Sequence, residues 1–409
     1  MENNAWKIVY LATIFSLLIL ALAYYLMAPK DPAVLLGEKT EKMAEFYGTR
    51  VEGRKDGRRL WEFYAQKGWT IKNQDASHLI NVTRGRIYNK KGELTLTSLI
   101  APWAIVNPRT EIIEAFGQPE GIINKPSKLK ASIDLGKFSS KNKHDWTTIV
   151  ADHILYNSRH NFSEISGKAQ LIKRDSKLTA DAISVDHNSK SAKLSGHLFL
   201  KRRDGVIRSD FGDYFGESER LELFGGVTFE AKEKGIKTTT IRCARAVLYG
   251  DIDREIELAG GVEAIQGKKL SLANNGVYSR LSKKLFLSGQ TRTVIEKAQA
   301  LIRPGTANKL RNADVRQILQ AKTLLTSDNI EFSTTSGNAR ASGNVVVTQK
   351  GKEARAESAY YDDQRELLTM RGSVQMKKGE DWLNCRKVTI YVSREVFEAE
   401  GLVEAKFKL

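Results

Sequence analysis

Six histidines, two cysteines and 48 acidic residues are the groups from which this 409-residue chain could build a catalytic or metal site. His78, His144, His153, His160, His187 and His197 fall at no H-x-x-x-H or H-E-x-x-H spacing, so no helix presents a zinc-binding face. No Gly-x-Ser-x-Gly elbow and no Walker loop is present. Asp152, Asp181, Asp210 and Asp328 recur at a regular interval, and a ladder of oxygen ligands for a hard cation is the chemistry that would follow. The equivalent position elsewhere holds Arg245, Asn274, Glu357 and Arg386. Cations there argue for a turn or surface role instead. Cys243 and Cys385 lie four repeat units apart, which is at least roughly 19 Å of stacked strands. A disulfide needs Cα atoms within about 7 Å, so two free, partly buried thiols are expected. The chain reads as a non-enzyme with no catalytic residue, cofactor or metal.

The elements that would position such groups come from a repeat. Blocks that begin with a small residue and end on an aromatic or β-branched one are ADHILY (151–156), ADAISV (180–185), SDFGDY (209–214), ARAVLY (244–249), ANNGVY (273–278), SDNIEF (327–332), AESAYY (356–361) and CRKVTI (385–390). Eleven residues after each block stands a glycine: Gly167, Gly196, Gly225, Gly260, Gly289, Gly343, Gly372 and Gly401. A weaker copy is APWAIV (101–106) with Gly117. Apolar residues occupy positions two before and, except for Thr291, two after each of these eight glycines, as in Leu194 and Leu198 or Leu258 and Val262. That period of two is a strand with one apolar face. The glycine falls on the same face, where it marks a bend or a close approach. Polar turns such as Asn188-Ser189-Lys190 and Asp362-Asp363-Gln364 separate the strands. Each unit is therefore two short strands and two turns, unable to bury its apolar face until units stack. If the two sheets close, the interior is a sandwich core; if they splay, it is a long apolar groove.

Hydrophobic residues make up 41% and charged residues 28%, with a net charge of +17. Those values exclude a collagen-like or disordered chain. The excess of cations favours anionic partners such as phospholipid headgroups or a phosphorylated glycan. Nucleic acid is not expected, because the charge is spread along a chain that reads as exported. Ile8 to Ala28 is 21 residues without a charge, enough for a transmembrane helix. Trp6 and Tyr24-Tyr25 sit at its ends, as interfacial aromatics do. A cleaved signal peptide ending near Ala21-Leu22-Ala23 is the competing reading. Either one delivers the body across a membrane. Residues 1–30 are thus the anchor and 31–117 a first β unit. Residues 118–147, with Pro119, Pro126 and several lysines, look like a linker. Residues 148–293 and 327–409 are the regular repeats, and 294–326 an insertion, either a helical pair or a degenerate repeat.

The anchored segment followed by LWEFYAQKGWTI (60–71), LINVTRGRIYN (79–89) and TLTSLIAPWAIV (95–106) resembles LptC of the lipopolysaccharide-export bridge family. The later units, above all SDNIEF with ARASGNVVV (327–347) and AESAYY with TMRGSVQM (356–376), resemble the OstA-like repeats of LptA in that family. The resemblance implies an all-β fold, an elongated β-jellyroll or taco of two-strand repeats preceded by one N-terminal transmembrane helix. It implies an inner-membrane protein with its bulk in the periplasm, carrying lipopolysaccharide with the acyl chains in the apolar groove. Its partners would be the inner-membrane ABC transporter of the export system and a periplasmic or outer-membrane OstA-like protein joined by edge-strand pairing. The inward positions that would line the groove are Tyr156, Ile165, Leu194, Leu223, Val227, Tyr249, Leu258, Val262, Leu287, Phe332, Val345, Met370 and Val374. Basic clusters at Lys173-Arg174, Lys201-Arg202-Arg203, Lys283-Lys284 and Lys377-Lys378 suit phosphates and sugar acids, or are solvated turns that protect strand edges. The terminal stretch Leu402 to Leu409 alternates without a cap and offers an open edge to a partner strand. A structural or adhesive β-solenoid with a closed, dry core satisfies the same repeat. An enzyme acting on surface polysaccharide has no catalytic constellation behind it.

Overall fold

A computed structural model describes residues 42–71, 75–117, 128–135, 146–173, 176–231, 238–251, 253–296, 321–391 and 396–407. The apolar segment Ile8–Ala28, with its anchor and signal readings, lies outside the described residues. Among those described, no helix is long and apolar enough to cross a membrane.

The described chain is all-β: one 24-stranded sheet in which every pairing is antiparallel. It begins with β1 (Lys42–Lys55), β2 (Arg58–Ile71), β3 (Ser77–Tyr88) and β4 (Leu94–Asn107). Two split rungs follow: β5 (Ile112–Phe116) beside β6 (Leu129–Asp134), then β7 (Trp146–Ala151) beside β8 (His153–Asn157). The regular ladder is β9 (Phe162–Lys173), β10 (Ser176–Asp186), β11 (Ser191–Arg202), β12 (Gly205–Phe215), β13 (Arg220–Ala231), β14 (Thr239–Tyr249), β15 (Ile256–Gln266) and β16 (Lys269–Ser279). It continues through β17 (Lys284–Ile295), β18 (Thr323–Ser333), β19 (Ala339–Gln349), β20 (Lys352–Asp362), β21 (Leu367–Lys378) and β22 (Asp381–Tyr391). A last split rung, β23 (Val396–Glu400) and β24 (Glu404–Lys406), pairs with β22.

Local chemistry closes the turns. The Asp186 carboxylate accepts the backbone N–H of Asn188 at 2.9 Å, and Asp362 accepts those of Gln364 and Arg365 at 3.0 Å. These are Asx turns. Lys190 and Glu366, at φ 52° and 54°, take the left-handed residue that each turn needs.

The recurring glycines bend the sheet. At Gly196 (φ 75°), followed by His197 (φ 47°), the pairing with β10 slips. This is a bulge, and it turns the strand through a corner. Inward positions in β10 are Leu178 and Ala180 on one side of the corner and Ile183 and Val185 on the other, so the phase jumps by one residue there. The small residue that opens each block is the inner corner: Ala151, Ala180, Ser209, Cys243, Ala273, Ser327, Ala356 and Cys385 are all buried. The glycine does not share the apolar face, as its spacing had suggested. A Cβ on Gly196 would sit 2.3 Å from Oδ2 of the exposed Asp181, because the bulge points that position outward. The periodic aspartates thus lie over corner glycines. Asp181 accepts from His197 Nδ1 at 2.7 Å and Asp328 from Asn344 Nδ2 at 3.0 Å. The first bond holds the His197 imidazole above its ordinary pKa. Among the described residues no group of three His, Cys, Asp or Glu side chains is placed to hold a metal. Cys243 and Cys385 are free and buried.

Two stretches need correction. Leu129–Asp134, inside the supposed linker, is a strand pairing with β4 and β7, and Leu129, Ala131 and Ile133 are core residues. The supposed insertion is narrower than 294–326, because Val294 and Ile295 close β17 and pair with Leu324 and Thr323 of β18. The ladder runs through it without a break. A single hydrophobic cluster runs from Leu60 to Val388.

Candidate functional site: the folded trough and its seam

Because the long strands of the regular ladder bend at their bulges, the sheet folds into a trough whose two halves face each other. Phe229 and Tyr278, on opposite sides of the corner line, meet edge to face at 5.1 Å. The ends of β9, β11, β13 and their counterparts lie along one lip, and those of β8, β10, β12 and theirs along the other.

Twelve of the thirteen expected groove residues lie in the common core. Tyr156, Ile165, Leu194, Leu223, Val227, Leu258, Val262, Leu287, Val345, Met370 and Val374 are almost fully buried, and Phe332 is 9% exposed. Tyr249 lies outside that core and instead lines the smaller apolar cavity described below. In β14 the inward residues are Ala246 and Leu248, while Val247 and Tyr249 are half-exposed. The block there is CARAVL, one residue earlier than its spacing suggested, because the turn to β15 is longer than its neighbours. Ala244, not Arg245, lies over the corner glycine Gly260.

The interior is not open along its length. Two apolar cavities lie toward the lips. The larger, about 150 Å³, is lined by Ile295, Leu325, Ile330, Phe332, Val347 and Leu368. The smaller, about 120 Å³, is lined by Leu171, Leu178, Leu200, Tyr214, Leu221 and Leu248, with Lys173 and Arg202 at its rim. An apolar cavity of that order has room for an apolar guest. Leu325, Leu368, Leu171 and Leu221 were not among the sequence-derived lining residues. The signal for them was the continuation of the inward alternation toward the turns.

Ion pairs cross the seam. Lys269, the first residue of β16, reaches Asp363 in the β20–β21 turn at 3.8 Å and lies over the Tyr361 ring at 5.3 Å. Lys190 reaches Asp134 at 3.7 Å, and Lys55 pairs with Glu111. Each pair joins one lip to a turn three to five strands further along the other. That stagger is what accumulated strand twist produces when a sheet folds onto itself. Burial and the carboxylate of Asp363 push the Tyr361 phenol pKa up. His187, under the Asp134 and Lys190 seam, accepts or donates a 2.7 Å bond with Ser163. Burial pulls its pKa down to about 4, despite the nearby Asp186 and Asp134.

The ends of the stack differ from its middle. On the last rung Val396, Phe397, Leu402, Val403 and Phe407 are exposed.

No known protein family matches the sequence, and no curated protein does. Among solved structures, the chain is similar to LptH, the LptA-homologous periplasmic component of the lipopolysaccharide transport device of Pseudomonas aeruginosa. The TM-score is 0.26 and the identity 13%, with 42% of this chain and 95% of that chain covered. A likeness of that size is too slight to carry a function across.

Proposed function

We propose that the chain is a non-enzymatic carrier of lipopolysaccharide across the periplasm, holding acyl chains inside the folded sheet. The observation that carries this reading is the pair of apolar cavities beneath the lips, in a core of interchangeable aliphatic side chains. Such lining suits acyl chains, whose transfer is non-directional. Each methylene kept from water is worth about 0.8 kcal/mol. The apolar N-terminal segment would anchor the carrier in the inner membrane beside the ABC transporter of the export system. The last rung, β23 and β24 with the exposed apolar residues in and beside them, would add its edge to an OstA-like partner strand. Removing residues 402–409 should then abolish the cross-linked partner complex and leave the fold intact.

The tight burial of Leu258 and Leu287 favours a second reading, a closed structural solenoid. A photo-crosslinking residue at Leu325 or Phe332, in the larger cavity, separates the two. Transfer of label to lipopolysaccharide in cells supports the carrier, and labelling confined to the protein itself supports the solenoid.

A further inference from the structure

On the outer face of β17–β21, across the sheet from the larger cavity, lies a polar cleft of about 460 Å³. Register builds it. Glu331 of β18 stands opposite Arg340 of β19, Arg340 opposite Tyr360 of β20, and Tyr360 opposite Thr369 of β21. In the neighbouring row Ser358 stands opposite Arg371. These side chains, with Lys284 and Asn338, form its walls.

The charges in the cleft do not cancel. Glu331 is directly across from Arg340, yet its carboxylate is engaged by Lys284 Nζ at 2.6 Å. No ion pair joins Arg340 or Arg371 to an acid among the described residues. Elsewhere on the outer face Arg208, Arg242 and Arg245 each meet a glutamate on the next strand, Glu230, Glu263 and Glu222. Two guanidiniums therefore face one cleft with their forks uncommitted. A planar fork with parallel N–H donors matches the oxygens of a phosphate. The Ser358 and Thr369 hydroxyls add neutral donors and acceptors. Tyr360, 42% exposed, offers a flat apolar face and is steadied by Asn338 Nδ2, which donates to its hydroxyl at 3.1 Å.

We propose that this cleft binds a phosphorylated saccharide, with Arg340 and Arg371 on the phosphate and Tyr360 against the sugar ring. Ala339, Arg340 and Ala359 border both the cleft and the apolar cavity. An amphiphile can thus lay its head outside and its chain inside across the 334–338 turn. That last step rests on the carrier reading; the anion site does not.

The test is calorimetric titration of the full chain with N-acetylglucosamine 6-phosphate, N-acetylglucosamine and inorganic phosphate. The phosphosugar should bind at least tenfold more tightly than either fragment, and its affinity should fall with added salt. The exposed pair substitution Arg340→Gln with Arg371→Gln should weaken it tenfold or more. Equal affinity of the unsubstituted and substituted proteins, or equal binding of sugar and phosphosugar, overturns the proposal. Competition by lipopolysaccharide that is lost on dephosphorylation identifies the ligand as a lipid head. Phosphosugar binding without such competition assigns the cleft to free saccharide phosphates. A fluorescent fatty acid reports on the cavity separately. If it fails to bind the unsubstituted protein, the carrier reading falls while the anion site stands.

Discussion

Gly260 and Gly261 are adjacent, both have positive φ (80° and 77°), and they differ in one respect. A Cβ on Gly260 would lie 2.7 Å from the Ala244 Cβ, whereas a Cβ on Gly261 would meet nothing within 4 Å. Alanine at either position takes the left-handed backbone strain, about 1–2 kcal/mol. Only Gly260→Ala adds a collision with a methyl group that has no rotamer in which to retreat. One of the two strands must shift, which costs about 1–3 kcal/mol as overpacking does elsewhere. The expected losses are thus about 1–2 kcal/mol for Gly261→Ala and about 2–5 kcal/mol for Gly260→Ala. Adding Ala244→Gly to Gly260→Ala should recover the collision component, measured against Ala244→Gly alone, as a coupling of about 1–3 kcal/mol. Stacked repeats can unfold in segments, so urea midpoints should be paired with hydrogen exchange of the β14 and β15 amides. Equal losses for the two glycines, or no recovery in the double variant, would refute the corner geometry.

Three further outcomes follow from the seam and the core. Asp363→Ala should speed loading of a fluorescent fatty acid several-fold. Its effect on stability should stay under about 1 kcal/mol, because the Lys269 pair is partly exposed; unchanged loading would remove the pair from the cavity mouth. His187, with its pKa lowered to about 4 against an ordinary 6.5, stays neutral while the unfolded chain takes up the proton. Stability is therefore complete above pH 6.5 and falls as the pH drops toward 4, by on the order of 3 kcal/mol at most. An imidazole seen by NMR to protonate near 6.5 would contradict this. Cys243, its thiol pushed up to about 11 by burial, and the buried Cys385 should resist thiol reagents in the native protein at pH 8 and react in urea. Fast labelling without denaturant would count against the core placement.

The period-two alternation and the eleven-residue spacing to each glycine carried the strands, the corners and nearly all the core positions. Both are local, repeated constraints, readable in any one unit. Tyr249 lines the smaller cavity but falls outside the core, because a longer turn before β15 restored the eleven-residue interval with the frame one residue late. Leu129, Ala131 and Ile133 alternate too briefly, between prolines and lysines, to stand out from a linker. The stagger of the lips is written in no single repeat, since it accumulates from the twist of many strands. The outer cleft was hidden for a related reason. Basic residues adjacent in sequence, such as Lys377-Lys378, drew attention, whereas Arg340 and Arg371 come together only through the register of β19, β20 and β21.

The displacement between the two lips leaves the stack with bevelled ends. The turns at 350–351 and 379–380 would face turns beyond β23, where the described ladder stops. Among the described residues, one lip at this end therefore stands proud of the other. A chain joining there would overlap this one as timbers do in a scarf joint. It would add a wall as well as a strand and, under the proposed carrier function, shelter an acyl tail crossing the junction.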